Sequence, residues 1–235
     1  MSDSRARVLA RVRAGLAANG PWLAAQAADA GQAPPFVHPP HDDIAAQFVA
    51  ELTRLAGPAH RCADDAGALE LIGGLLGQHG AGQLIAWDLP RVGLPGLAAL
   101  LAERGVAVLD ARIGGERRAE ALRRLDPAPI CISGADAAIA ESGTLLVRGG
   151  PGQGRLASLL APVHIAVLRR AQIVRGLGEA LELVARRHGP DPFADSSSLT
   201  LISGPSRTGD IEQQLVLGVH GPNTLHVILI DAPPA

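Results

Sequence analysis

Leu84-Ile85-Ala86-Trp87 is a run of four apolar residues and Val106-Ala107-Val108-Leu109 is another, each followed by turn residues and a stretch with helical spacing. Continuous apolar runs of this length suit strands buried on both faces, the habit of parallel sheets covered by helices. The pattern recurs down the chain. Pro129 to Ser133, Gly143 to Arg148, Val163 to Leu168, Leu199 to Ser203 and Leu225 to Ile230 read as further strands. Leu177 to Arg187 reads as a helix whose C-terminal arginines suit its dipole. Strand and helix in alternation predict an α/β fold with a largely parallel sheet flanked by helices.

Upstream of about His60 the periodicity is helical. Val8, Val12 and Leu16 recur every four residues, and Asn19-Gly20-Pro21 supplies a stop. A second stripe, Ile44, Phe48, Leu52 and Leu55, starts after Asp42 or Asp43 as a cap and ends at Gly57-Pro58. Gly31 to Pro40 reads as a linker. The expected organisation is an N-terminal helical arm over 1–57 and an α/β domain over 58–235.

Composition narrows the chemistry. All 21 basic residues are arginine and there is no tyrosine, so a Schiff-base amine, a P-loop lysine and a phenolic acid are excluded. A net charge of -2 with five aromatic residues argues against nucleic acid as a partner, since neither a basic footprint nor a stacking platform is available. Cys62 and Cys131 are the only cysteines, too few for a four-thiolate iron–sulfur cluster or a CxxC zinc site. No signal-peptide core and no apolar run of about 18 residues occurs, so no membrane span and a cytoplasmic location are expected.

Ligands of open α/β sheets sit beyond the carboxyl ends of the strands, which directs attention to three post-strand loops. The first, Ile132 to Thr144, runs from a strand through Ser133-Gly134 and a predicted short helical turn to Glu141-Ser142-Gly143-Thr144. Its small residues let backbone amides approach a ligand, with Asp136 and Glu141 available as base, nucleophile or orienter. A cap at Ser133 or Asp136 and a turn at Gly143 explain the same residues without a ligand. The second, Gly149 to Arg155, has G-x-G-x-G spacing, which is not the dinucleotide fingerprint. It reads either as a turn or as an anion cradle backed by Arg155. The third holds Ser203, Gly204, Ser206, Arg207, Asp210 and Glu212, with Gly218-Val219-His220-Gly221-Pro222 after it. It resembles a helix N-terminus for anions, with the two acids in the first turn.

Of the histidines, His164 and His226 fall inside predicted strands, where a satisfied core histidine is the common case, and His220 in its glycine-flanked loop is the better general base. No HxH or HExxH pattern is present, so no metal is implied.

Three blocks together resemble the lactate-utilization (LUD) domain family, closest to its lactate utilization protein C branch. They are Gly134 to Thr144; Arg155 with Ser158 to Ile165 and Gln172 to Val174; and Ser203 to Ser206 with Asp210 to Glu212, Leu217 to Pro222 and Leu225 to Leu229. The resemblance implies a fold similar to the superfamily of sugar-phosphate isomerases, glucosamine-phosphate deaminases and CoA transferases. It also implies a part in oxidising L-lactate to pyruvate beside an iron–sulfur protein and a cysteine-rich redox subunit, with no cofactor on this chain and the clusters in those partners. On that expectation a small carboxylate or other anion is bound by Gly134, Asp136, Ser142, Gly143, Thr144, Arg155, Ser203, Gly204, Ser206, Arg207 and Glu212, with Glu141, His220 and Asp210 as catalytic candidates. Two other readings stand beside it: an acyl or CoA transferase or hydrolase using Glu141, through the likeness of Glu141-Ser142-Gly143 to the Glu-x-Gly turn of CoA transferases, and a non-catalytic regulatory or scaffold subunit.

Overall fold

The computed structural model describes residues 2–29, 36–38, 41–112, 118–189, 195–211 and 214–233. The chain divides into two compact units, Met1–Pro34 and Pro35–Ala235. The first is one helix, α1 (Ser2–Asp29), which continues through Pro21 instead of stopping there. The alanine-rich flanks, Ala17-Ala18 and Ala24-Ala25, are strong helix formers on both sides of the one lost hydrogen bond, and Asn19 Nδ2 turns back to donate to Gly15 O at 2.8 Å. Its stripe is exposed, with Val8 at 57%, Leu16 at 60% and Trp22 at 61%. The expected linker over residues 31–40 lies outside the described residues except for 36–38.

The second unit starts with α2 (Ile44–Arg54), capped by the Asp43 carboxylate, which accepts from the amides of Ala45 and Ala46. Phe48 and Leu52 from its stripe are fully buried in the main core, worth about 1.5–3 kcal/mol each. The expected boundary at 57/58 therefore moves back to Pro34/Pro35: a helix read as part of an arm is a core element, because its stripe is covered.

The order that follows is β1 (Ala59–Cys62), α3 (Asp65–Gln78), β2 (Gln83–Ala86), α4 (Leu89–Val92), α5 (Leu97–Glu103), β3 (Ala107–Leu109), α6 (Arg118–Leu125) and β4 (Ile130–Gly134). Then come β5 (Ala137–Ile139), β6 (Thr144–Gly149), β7 (Val163–Arg169), β8 (Ile173–Val174), α7 (Leu177–His188), β9 (Ser198–Ile202), β10 (Arg207–Ile211), β11 (Gln214–Leu217) and β12 (Thr224–Ile230). Six strands make one sheet in the order β1-β12-β7-β4-β2-β3, with every pairing parallel. Its central strands β4 and β7 are buried throughout, and they carry Ser133, His164 and Arg169 as buried polar residues among apolar ones.

A second sheet, β8-β5-β6-β9, carries α7 over its own small cluster of Ala137, Ile139, Leu146, Ala180 and Val184. The helical turn expected after Gly134 is replaced by β5 and a 3₁₀ turn at Ala140–Ser142, since residues 137–139 pair with β6 on one side. The helix expected to begin near Asp210 is absent too. Arg207–Ile211 and Gln214–Leu217 pair as the antiparallel strands β10 and β11, with β-branched residues at Thr208, Ile211 and Val216.

Candidate functional site

The topological switch point of the main sheet lies between β2 and β4, where the chain winds outward in opposite directions. That crevice is filled by the protein itself. A methyl group on Gly134 would come within 3.2 Å of the Trp87 ring and of the Arg91 and Val92 carbonyls, and the Gly152 carbonyl accepts from the Asp88 amide at 2.8 Å. The glycine-rich loop is thus a plug against the β2-α4 turn. Arg155, at its end, is exposed beside Gly149.

The polar cavity lies elsewhere, at the amino ends of β7 and β12, where the loop leaving β9 meets them. It holds about 250 Å³ and is lined by Ser158, His164, Thr200, Ser203, Ser206 and His220, with Leu159, Leu201, Pro222 and Leu225 as apolar wall. Among the described residues no aspartate, glutamate or arginine lines it. A hollow of about 350 Å³ against α4 and α5 is larger, but its lining of Leu89, Pro90, Gly93, Leu94, Pro95, Gly96 and Ala98 offers no polar side chain to orient a ligand.

Backbone hydrogen bonds hold the two loops of the cavity together. Ser206 N donates to Pro222 O at 2.8 Å, and Gly218 N donates to Ser206 O at 3.0 Å. On the β9 side a chain of hydroxyls reaches the wall: Ser142 Oγ donates to Thr144 Oγ1 at 2.8 Å, and Thr144 Oγ1 lies 2.7 Å from Ser203 Oγ. Ser158 Oγ, on the 3₁₀ turn before β7, donates to Arg155 O at 3.1 Å and keeps its lone pairs for the cavity.

His164 is 1% exposed and its ring lines the cavity, with Nε2 2.8 Å from Ser133 Oγ. Burial pushes its pKa down to about 4, so the imidazole is neutral at physiological pH. His226, one register step away, sits on the opposite face of the sheet because it pairs with Ile165. There its Nδ1 is 2.9 Å from His60 Nε2.

The structure brings Ser203, Gly204, Ser206 and His220 to one cavity, and connects Ser142 and Thr144 to it through the hydroxyl chain. It distributes the other expected residues. Glu141 Oε2 accepts from the amides of Val37 and His38 at 2.8 and 2.9 Å, outside the cavity lining. Asp136 is buried, accepting from Arg148 N at 2.8 Å and facing His188 Nε2 at 3.2 Å, beside the 2% exposed Arg148 side chain. Gly143 and Gly204, both at positive φ, pack against the end of α2. A methyl group would come within 2.4 Å of Leu52 N at the first and 2.7 Å of Leu55 O at the second. Arg207 donates to that same Leu55 carbonyl. Asp210 lies in β10, and Glu212 lies outside the described residues.

Sequence reasoning passed over Ser133, Ser158 and Thr200, and set His164 aside as core. One signal was available: Ser158 and His164 fall in the same quoted block, six residues apart, flanking the start of a buried strand. Among the described residues no group of three or more His, Cys, Asp or Glu side chains is arranged to hold a metal, and no helix is long and apolar enough to cross a membrane.

A family model for the LUD domain matches residues 45–230, a span that starts in α2 and ends with β12. Lactate utilization protein C of Halalkalibacterium halodurans is 35% identical over 163 residues, 69% of this chain and 68% of that protein. Its namesake in Deinococcus radiodurans is 41% identical over 107 residues, 45% of this chain and 48% of that one. The matched stretches span about two thirds of the Halalkalibacterium, Geobacillus and Anoxybacillus proteins. The crystal structure of a DUF162 family protein from Deinococcus radiodurans superposes with a TM-score of 0.55 at 28% identity, covering 80% of this chain and 96% of that one. The chain belongs to the LUD domain family.

Proposed function

We propose that this protein is the cluster-free component of an L-lactate utilization system and that the cavity at the amino ends of β7 and β12 binds a small carboxylate. The observation that carries the reading is convergence. Two of the three blocks that bear the family resemblance meet in that cavity through Ser158, His164, Ser203, Ser206 and His220, and the third reaches its wall through Ser142 and Thr144. The names of the related proteins supply the lactate connection.

The cavity suits a metabolite smaller than drug size, since about 250 Å³ falls just below the usual ligand-pocket range. Hydroxyls take the place of the arginine fork expected from the sequence: those of Thr200, Ser203 and Ser206, with the His220 side chain beside them, surround a carboxylate, while Leu159, Leu201 and Leu225 take an alkyl group. Electron transfer is assigned to iron–sulfur and cysteine-rich partner subunits. In support, both thiols are buried, and burial pushes Cys131 up to about 11, the reverse of the lowered value that a metal thiolate needs.

Deleting the gene is expected to abolish growth on L-lactate and to leave growth on pyruvate unchanged. Normal growth on lactate overturns the proposal. Co-purification of this chain with iron–sulfur proteins encoded beside it tests the division of labour.

A further inference from the structure

The cavity is lined by a buried histidine that shares a hydrogen bond with a serine hydroxyl. Ser133 Oγ is 2.9 Å from Gly134 O and 2.8 Å from His164 Nε2. A serine hydroxyl has one proton, and when it is given to Gly134 O the Ser133 oxygen accepts from His164. In that arrangement the ring is the Nε2–H tautomer and Nδ1 carries a lone pair. Among the described residues Nδ1 has no hydrogen-bond partner, and the ring lines the cavity. Burial keeps this arrangement neutral, so Nδ1 is an acceptor and not a donor.

We propose that His164 Nδ1 reads the hydroxyl of the ligand, so that the cavity selects 2-hydroxy carboxylates over 2-oxo carboxylates of the same size. A 2-hydroxy group has a proton to give to Nδ1. A 2-oxo oxygen has only lone pairs and leaves a buried acceptor unpaired, which weakens binding by about 10- to 100-fold. Ser133 is the positioning residue, since its oxygen and the Gly134 carbonyl fix the tautomer. The inference rests on the reading of the cavity as a small-carboxylate site and adds what that site discriminates.

The test uses the full chain labelled with ¹⁵N-histidine, with the His164 signals assigned by their loss in His164→Gln. In the free protein Nδ1 is expected at the unprotonated position and Nε2 at the protonated one. Saturation with L-lactate is expected to move Nδ1 as a hydrogen-bond acceptor moves, whereas pyruvate leaves it in place. Calorimetric titration is expected to give L-lactate about 10- to 100-fold tighter binding than pyruvate. Ser133→Ala should shrink that ratio, and Ser133→Thr, which keeps the hydroxyl, should preserve it. A protonated Nδ1 in the free protein, or equal binding of the two acids, overturns the inference; the calorimetric comparison uses the wild-type chain alone. Equal binding together with a lactate growth defect removes this inference and leaves the proposed function standing. Lactate selectivity without a growth defect removes the lactate role and leaves the inference standing. Failure of both acids to bind removes the inference and the carboxylate site with it.

Discussion

Acid should loosen this fold through His164 before its carboxylates are protonated. The ring is bonded to Ser133 and lies in the sheet core, which lowers its pKa from 6.5 to about 4. Above pH 6.5 the residue is neutral in both folded and unfolded chains and contributes no pH dependence. Between 6.5 and 4 the unfolded chain binds the proton and the folded one resists it, so stability is lost as pH falls through that window. The linkage amounts to about 2 kcal/mol by pH 5 and about 3 kcal/mol by pH 4. His226, lowered to about 4, and His60, lowered by burial, add losses of the same sign. The His164 share is isolated with His164→Gln, whose amide still donates to Ser133 but does not titrate. Urea unfolding at pH 7.5, 6, 5 and 4.5, followed by fluorescence of the buried Trp87, should show wild type losing about 2 kcal/mol more than the variant by pH 5. Parallel losses in the two proteins refute the reasoning.

Three further outcomes follow from other parts of the structure. Gly143→Ala should destabilise by about 2 kcal/mol or more, because the backbone is left-handed at φ 59 and the new methyl meets the α2 backbone; an unchanged urea midpoint contradicts that packing. Asp136→Ala should cost about 2–4 kcal/mol, since it strands the buried Arg148 amide and removes the partner of the half-buried His188, and a loss below 1 kcal/mol speaks against the network. Cys131, with its thiol pushed up to about 11 and bonded to Leu156 O, should resist a thiol-reactive dye at pH 8 unless urea is added. Labelling in the native protein at the rate of a free thiol would show that site to be open.

Seven strands were legible because each is a short, mostly apolar run, and each was placed within a residue or two, as with Val163 to Leu168 against β7. The unread ones lack that signal. β1 carries His60 and Arg61 on a half-covered edge, β5 is three residues long, β8 has two, and β10 and β11 are short strands of mixed polar and apolar residues with no regular pattern. The site was legible as residue types: serines, glycines and a histidine in the loops after Leu199 to Ser203. Its location was not, because the rule that ligands lie beyond the carboxyl ends of strands describes the main sheet. Here the plug of Trp87, Arg91 and Gly152 occupies that end, and the second sheet builds a cavity with its own β9 loop at the other. Arg155 and Arg207 looked like carboxylate forks in one dimension. In three, one is exposed beside Gly149 and the other ties the β10 entry to Leu55.

The central claim is that this cavity is where the protein acts in lactate utilization. Thr200→Phe puts an aromatic ring into it from β9 and leaves Glu141 and the Asp136 network, which lie outside the cavity lining, as they are. The direct measurement is growth on L-lactate of the deletion strain complemented with this variant, with pyruvate growth and protein level recorded alongside. The account expects no growth on lactate, normal growth on pyruvate and wild-type amounts of folded protein. Growth on lactate at the wild-type rate with the cavity filled would contradict it.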